Sequence, residues 1–433
     1  MTSIQSVKGR RIWDSRGNPT VEVDVILESG KMGRAVAPAG ASRGTREAVD
    51  LRDGGPKLRG KNVMQAVANI NGPIASALIG RDVHDQTGAD AAILALDPSI
   101  LKEKLGGNAT VSASLAIMHA AAADFEKPLW RYLSDKHEQV PTLPLPEIQI
   151  FGGGAHAGRR VDVQDFMIMV PGASSFDDMM EITNEVYFAA GDILASRGQA
   201  AGIADEGGWW PNFKSNEEAL ETLVKAIEKA GEKPGENVVI SLDIAASDFG
   251  KKGMYSLALE NRKLDSVAMI DMLGGWLDAY PIVSIEDPLG EDDPDGTIAF
   301  TQKYGDKLQI IGDDYLVTNA DLVEEADKSG ACNAVLIKVN QAGTVSEAMK
   351  TFQTAQNKGW GTIVSARSGE SEDVSISHLA VGLGAAQLKV GSFQRSERMA
   401  KWNECLRIED ELGIGAFTGG ASLRNTWWGK ARA

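Results

Sequence analysis

Ile282-Val283-Ser284-Ile285-Glu286, then Leu308-Gln309-Ile310-Ile311-Gly312-Asp313, then Ala334-Val335-Leu336-Ile337-Lys338 repeat one pattern: a short apolar run that stops at a single charged residue. Amphipathic segments separate the runs. Upstream, Val238-Val239-Ile240-Ser241-Leu242 stops at Asp243; downstream, Thr362-Ile363-Val364-Ser365 stops at Ala366 and Ala386-Gln387-Leu388 at Lys389. Continuous apolar runs of this length suit parallel strands covered by helices on the outside. Beyond Glu286, each step is roughly 25 residues, the length of one strand, loop and helix. Six or more such units with right-handed crossovers predict an α/β fold closed into a (β/α) barrel. An open doubly wound sheet would use the same units. In a barrel the chemistry sits where the strands end. The residues found there are Asp243, Glu286, Asp313, Lys338, Ala366 and Lys389.

The N-terminal part reads differently. Residues 19 to 28 alternate apolar and acidic side chains with period two, Ser29-Gly30 reads as a hairpin turn, and Arg34 to Pro38 follows as a further strand. Asn62 to Ile79 and the Ala-rich stretch Val111 to Asp124 have helical periodicity. Strands followed by helices predict an α+β capping domain over residues 1–135, ahead of a barrel over residues 140–433. The 433 residues carry 60 acidic against 44 basic side chains, a formal charge of −16. Such a field repels phosphate backbones and anionic lipid, so neither nucleic acid nor a membrane is an expected partner. Two cysteines, Cys332 and Cys405, form no metal spacing or disulfide framework. Neither a secretory signal nor a long apolar span is evident, and a cytoplasmic protein is expected.

Three carboxylates on successive strand ends cannot all stay ionised without a cation, and an all-oxygen donor set points to Mg²⁺. Asp243, Glu286 and Asp313 are therefore expected to converge on a metal. Lys338 and Lys389, two strands apart, would face it from across the barrel mouth. A lysine between a metal and a second ammonium has its charged form disfavoured, which suits a general base. The loop Gly152-Gly153-Gly154-Ala155-His156-Ala157-Gly158-Arg159-Arg160 reads as a lid carrying one of five histidines. Glu206, in Ala204-Asp205-Glu206-Gly207-Gly208, and Asp165, in Gln164-Asp165-Phe166, are expected after early barrel strands. As paired carboxylates near a metal they would raise one another, leaving one as a proton donor.

Together with Asp14-Ser15-Arg16-Gly17-Asn18-Pro19-Thr20-Val21-Glu22-Val23, Ser284-Ile285-Glu286-Asp287-Pro288, Lys338-Val339-Asn340-Gln341 and Arg367-Ser368-Gly369-Glu370, these segments resemble enolase across essentially the whole chain. The resemblance implies a Mg²⁺-dependent lyase with two metal ions, usually a homodimer. It would act through an ene-diolate on 2-phosphoglycerate, phosphoenolpyruvate or a close anionic relative. It implies that Asp243, Glu286 and Asp313 hold the first metal and that Ser42 approaches the second. Lys338 would take the proton α to the carboxylate, Lys389 would bind the carboxylate, and Arg367 with Ser368 would grip the phosphate. Glu206, helped by Asp165, would assist loss of the hydroxyl, with His156 in the catalytic set.

The departures from the family fall at the mouth of the site. Ala366 stands where a histidine precedes the arginine in enolases, and Asp165 where they have glutamate. Arg43 replaces threonine in the Ser42-Arg43-Gly44 loop, Ala155 and Arg159 alter the glycine-rich loop, and Trp209-Trp210-Pro211 replaces aromatic-Ala-Pro. Arg43 and Arg159 add guanidinium forks suited to a further carboxylate or phosphonate. A second expectation is thus a specialised paralogue of phosphonate biosynthesis, similar to the enolase-like proteins that make carboxyphosphonoenolpyruvate. Non-catalytic binding or scaffolding is a third, and a mandelate-racemase-type dehydratase a fourth.

Overall fold

The computed structural model describes residues 2–432. Eight strands close into a barrel: β4 (Leu145–Gly152), β5 (Asp165–Met169), β8 (Val239–Asp243), β12 (Ile282–Glu286), β13 (Gln309–Gly312), β14 (Ala334–Ile337), β15 (Gly361–Ser365) and β16 (Gln387–Gly391), with β16 pairing back onto β4. Nearly every residue in these strands is buried, because helices cover the outside and side chains fill the inside.

One strand runs against the expected direction. β5 is antiparallel to both neighbours, with Gly152 opposite Asp165 on β4 and Asp165 opposite Asp243 on β8. A parallel return needs a crossover helix, and the link between β4 and β5 holds only the 3₁₀ turn Gly154–Ala157. Asp165 consequently opens its strand instead of following it, which still leaves it at the mouth. Glu206 does not end a barrel strand either. It sits in the turn between β6 (Ala200–Ile203) and β7 (Trp209–Pro211), a hairpin attached to β4 through Phe151 and Trp209. The long first step, from Asp243 to Glu286, contains a small sheet of β9 (Gly250–Lys251), β10 (Met254–Leu257) and β11 (Arg262–Asp265) ahead of its helix.

The N-terminal sheet is a meander of β1 (Ile4–Trp13), β2 (Pro19–Leu27) and β3 (Met32–Val36), with Gly30 in left-handed backbone at the expected turn. The Ala-rich helix Gly107–Asp124 is buried on nearly all sides and packs on β2 and β3. The segment expected as one helix is continuous but widens into a π turn at Ile70–Ile74, where Pro73 has no N–H to donate. The opposite end of the barrel is sealed by the C-terminal tail. Trp428 packs with Leu145, Met169, Val239 and Val283, and the indole N–H groups of Trp427 and Trp428 donate to Ile282 O and Glu236 O, both at 2.7 Å. Both cysteines are free and buried.

Candidate active site

The strand ends bring the expected charges to one cleft in the barrel mouth. Gly40, Ala41, Ser42, His156, Gln164, Glu206, Asp243, Asp313, Lys338, Ala366, Arg367, Ser368 and Lys389 all line it. Lys389 Nζ lies 2.8 Å from Asp243 Oδ2, 2.7 Å from Glu286 Oε2 and 3.7 Å from Asp165 Oδ2. Lys338 Nζ lies 2.5 Å from Asp313 Oδ2. Burial alone would lower both ammonium groups, but Asp313 raises Lys338, and Asp243 with Glu286 raises Lys389 well above the lysine range. The carboxylates face the lysines directly and outweigh the repulsion between ammonium groups; the expected fall is that of a lysine beside a cation that has taken up their charge. Burial pushes Asp313 up and Lys338 more than offsets it, taking the carboxyl down to about 2.

Asp243, Glu286 and Asp313 do not gather as tightly as expected, since two lysines are interleaved with them. Among the described residues, the sets whose ligand atoms all lie within 4.8 Å are His156, Asp165 and Glu206, and Asp287, Asp313 and Asp314. The residues nevertheless suit a hard cation. The donors are oxygens, and Glu286 Oε1 is buried without a hydrogen-bond partner. Burial and then Asp243 push the Glu286 carboxyl well up, the penalty that a bound cation would relieve.

His156 bridges Asp165 and Glu206, whose carboxylate oxygens approach within 4.8 Å of each other and of an imidazole nitrogen. Its Nδ1 is 3.1 Å from Asp165 Oδ1 and its Nε2 3.7 Å from Glu206 Oε1. Burial lowers the imidazole, but Glu206 and Asp165 outweigh it and raise it to about 9. Asp165, pushed up by burial, is pulled below the usual range by His156, so of the two carboxylates it is not the one raised. The glycine-rich loop is pinned by its own backbone, Gly153 N–H to Gln164 O at 2.7 Å and Gly154 N–H to Val161 O at 2.9 Å, with His156 buried beneath it.

The N-terminal loop closes the other side. Arg367 is buried and ion-paired to Glu47 at 3.1 Å, and it donates to Ser42 O at 3.0 Å. A Cβ on Gly40 would lie 1.9 Å from Arg367 Nη2, so only glycine lets the loop approach. Ala41 N–H donates to Ser368 Oγ at 2.7 Å, and Arg398, fully buried, donates to the carbonyls of Arg367 and Ser368 at 2.6 Å each. Ser42 Oγ donates to Asp248 Oδ1 at 3.2 Å. Arg43 and Arg159 are exposed and line no part of the cleft. Arg159 instead leans on Asp248, donating to its carbonyl at 3.1 Å.

Residues 4–133 match the model of the enolase N-terminal domain, and residues 140–426 that of the enolase C-terminal TIM barrel domain. The chain belongs to the enolase family. It is an enolase-superfamily enzyme, with acidic clusters of the kind that bind metal in a generally metal-dependent family. Among the described residues, no helix is long and apolar enough to cross a membrane.

Residue-by-residue reading of the sequence missed Glu47, Gln149, Gln164 and Gln341. Gln164 donates to Asp243 Oδ2 at 3.0 Å, Gln341 to Asp313 Oδ1 at 2.8 Å, and Gln149 to Asp165. Gln164 and Gln341 stood beside residues already singled out, which was their only signal. Glu47 lies in an aperiodic loop 320 residues from its partner.

Proposed function

We infer that this enolase-family protein removes the proton α to the carboxylate of a small phosphorylated acid, 2-phosphoglycerate or a close anionic relative, through an ene-diolate. The arrangement that carries this reading is the buried Lys338–Asp313 pair beside Lys389, Asp243 and Glu286, with Arg367 and Ser368 on the next strand end. Lys338 Nζ takes the α proton, and Lys389 binds the substrate carboxylate. Arg367 and Ser368 take the phosphate. Asp243, Glu286 and Asp313 would hold one Mg²⁺, and Ser42 would approach a second. A cation held there would supply positive charge to stabilise an ene-diolate and would offset the charge of Asp313 beside Lys338. Glu206, with His156 and Asp165 behind it, assists loss of the hydroxyl. The family implies a homodimer, which light scattering would test.

Purified protein with Mg²⁺ and 2-phosphoglycerate, followed by the ultraviolet absorbance of phosphoenolpyruvate, tests the reading. Turnover within about tenfold of an ordinary enolase, about 1.4 kcal/mol in barrier, supports it. Lys338→Ala should then lose about 10²–10⁴-fold, the usual worth of a general base. Unchanged turnover in that variant would remove Lys338 from the chemistry.

A specialised paralogue acting on a phosphonate relative is favoured by Ala366, whose methyl group lines the cleft where enolases carry imidazole. Weak or no turnover of 2-phosphoglycerate, with Mg²⁺-dependent binding of a phosphonate or hydroxamate ene-diolate mimic, would support it. Ala366→His should then raise dehydration of 2-phosphoglycerate. Failure to bind the mimic would favour a non-catalytic binding protein.

A further inference from the structure

Two consecutive β-branched residues after Asp313 are held in left-handed backbone, Val317 at φ 43° and Thr318 at φ 51°. That conformation is unfavourable for such side chains and persists only where the surroundings over-determine it. Here they do. Val317 N–H donates to Asp313 O at 2.7 Å, the Val317 side chain presses against Gly44, where a Cβ would come within 2.7 Å, and Thr351 Oγ1 donates to Thr318 O at 2.8 Å. Both residues are buried.

The strained turn puts the Thr318 hydroxyl at a junction. It accepts from the backbone N–H of Lys338 at 2.9 Å and donates to Gln341 Oε1 at 2.7 Å, with Leu336 O at 3.2 Å as the weaker acceptor. Gln341 then turns its amide N–H onto Asp313 Oδ1 at 2.8 Å, and Asp313 Oδ2 faces Lys338 Nζ. The circuit closes on itself. A side-chain amide has nearly the same shape at both ends, so its partners decide which end faces where. With the amide reversed, its oxygen would lie against a carboxylate.

We propose that Thr318 is a positioning residue whose hydroxyl orients Gln341, and through it the Asp313 carboxylate, while anchoring the backbone from which Lys338 extends. This rests on the reading of Asp313 as a metal ligand and Lys338 as the base. Nothing in the reaction touches Thr318 itself.

The test is Mn²⁺ titration of the folded full-length protein by calorimetry, with Thr318→Val, Thr318→Ser, Gln341→Met and Asp313→Asn. Losing an outer partner of a metal ligand typically weakens binding about 10–100-fold, and Thr318→Val should fall in that range while Thr318→Ser stays within about twofold of the parent. Gln341→Met should match Thr318→Val, and the double variant should be no weaker than either single one. If Thr318→Val does not fold, Gln341→Met carries the same test. A merely structural role would lower the melting temperature of the threonine variants and leave Mn²⁺ affinity alone. Unchanged affinity in Thr318→Val or Gln341→Met beside a large loss in Asp313→Asn would overturn the proposal. Unchanged affinity in Asp313→Asn as well would overturn the underlying reading of Asp313.

Discussion

Glu147 is fully buried inside the barrel, in a polar layer where Ser241 Oγ donates to it at 2.9 Å and Gln387 Nε2 at 2.8 Å. Burial raises its carboxyl to about 7 against the pull of Lys389 and Ser241. The folded pKa lies above the ordinary value of 4.5, so the folded chain holds this proton through the interval between them. No penalty exists below that interval; stability is lost as pH rises across it, and above about 7 the full cost of a charge in the interior is in place. Glu147→Gln keeps an acceptor for Gln387 and removes the charge. Urea unfolding should show it about 1–3 kcal/mol more stable than the parent at pH 8.5, with the gain shrinking toward zero at pH 5. A gain of equal size at both pH values would exclude a protonation origin. The same scale shows what sequence could reveal about the site. Asp243, Glu286, Asp313, Lys338 and Lys389 were legible because each falls at or beside the end of an apolar run. The place of His156 between Asp165 and Glu206 was not, since it depends on which way β5 runs and on a hairpin outside the barrel.

Strand β3 meets the helix Gly107–Asp124 at Gly33, where a Cβ would lie 2.2 Å from both Ala116 O and Ala120 N. Backbone cannot yield as a side-chain tip can, so Gly33→Ala should separate strand and helix and cost about 2–4 kcal/mol. Gly30→Ala is the control. Its Cβ would meet nothing within 4 Å, and its φ of +81° limits the loss to about 1 kcal/mol. Equal losses in thermal unfolding would show that the contact is not tight. The hairpin and the Ala-rich helix were legible from period two and from composition. The six later barrel strands were legible for a similar reason, as parallel strands buried on both faces leave continuous apolar runs. β5 was opaque in direction because an apolar run reads alike both ways. Only the absence of a helix between Gly152 and Asp165 decides it, and a glycine-rich loop does not announce that absence.

On the scale of the molecule, the cap completes the cleft, since Ser42 and the Glu47 partner of Arg367 both come from it. Its grip on the barrel therefore bears on function. Asp90, fully buried in the cap helix Gln86–Leu94, accepts from Ser114 Oγ at 2.6 Å within the cap. It also accepts from Ser346 N at 2.9 Å and Ser346 Oγ at 2.6 Å, at the start of the barrel helix Val345–Asn357. A carboxylate from the cap thus satisfies free N–H at a barrel helix N-terminus, where the helix dipole also favours negative charge. Lys102 reaches Glu347 on the same helix at 2.8 Å. Asp90→Ala would remove the acceptor of Ser346 N–H and of the Ser346 and Ser114 hydroxyls, a loss of about 2–4 kcal/mol. Because that loss falls on the seam, it should also uncouple the two parts. Calorimetry should show the parent melting in one transition and Asp90→Ala melting earlier, with a shoulder as the cap releases first. Asp90→Asn, which keeps one acceptor oxygen, should lose less and retain the single transition. An unshifted single transition in Asp90→Ala would mean that the Ala39–Gly369 bridge and the Arg367–Glu47 pair suffice to hold the cap.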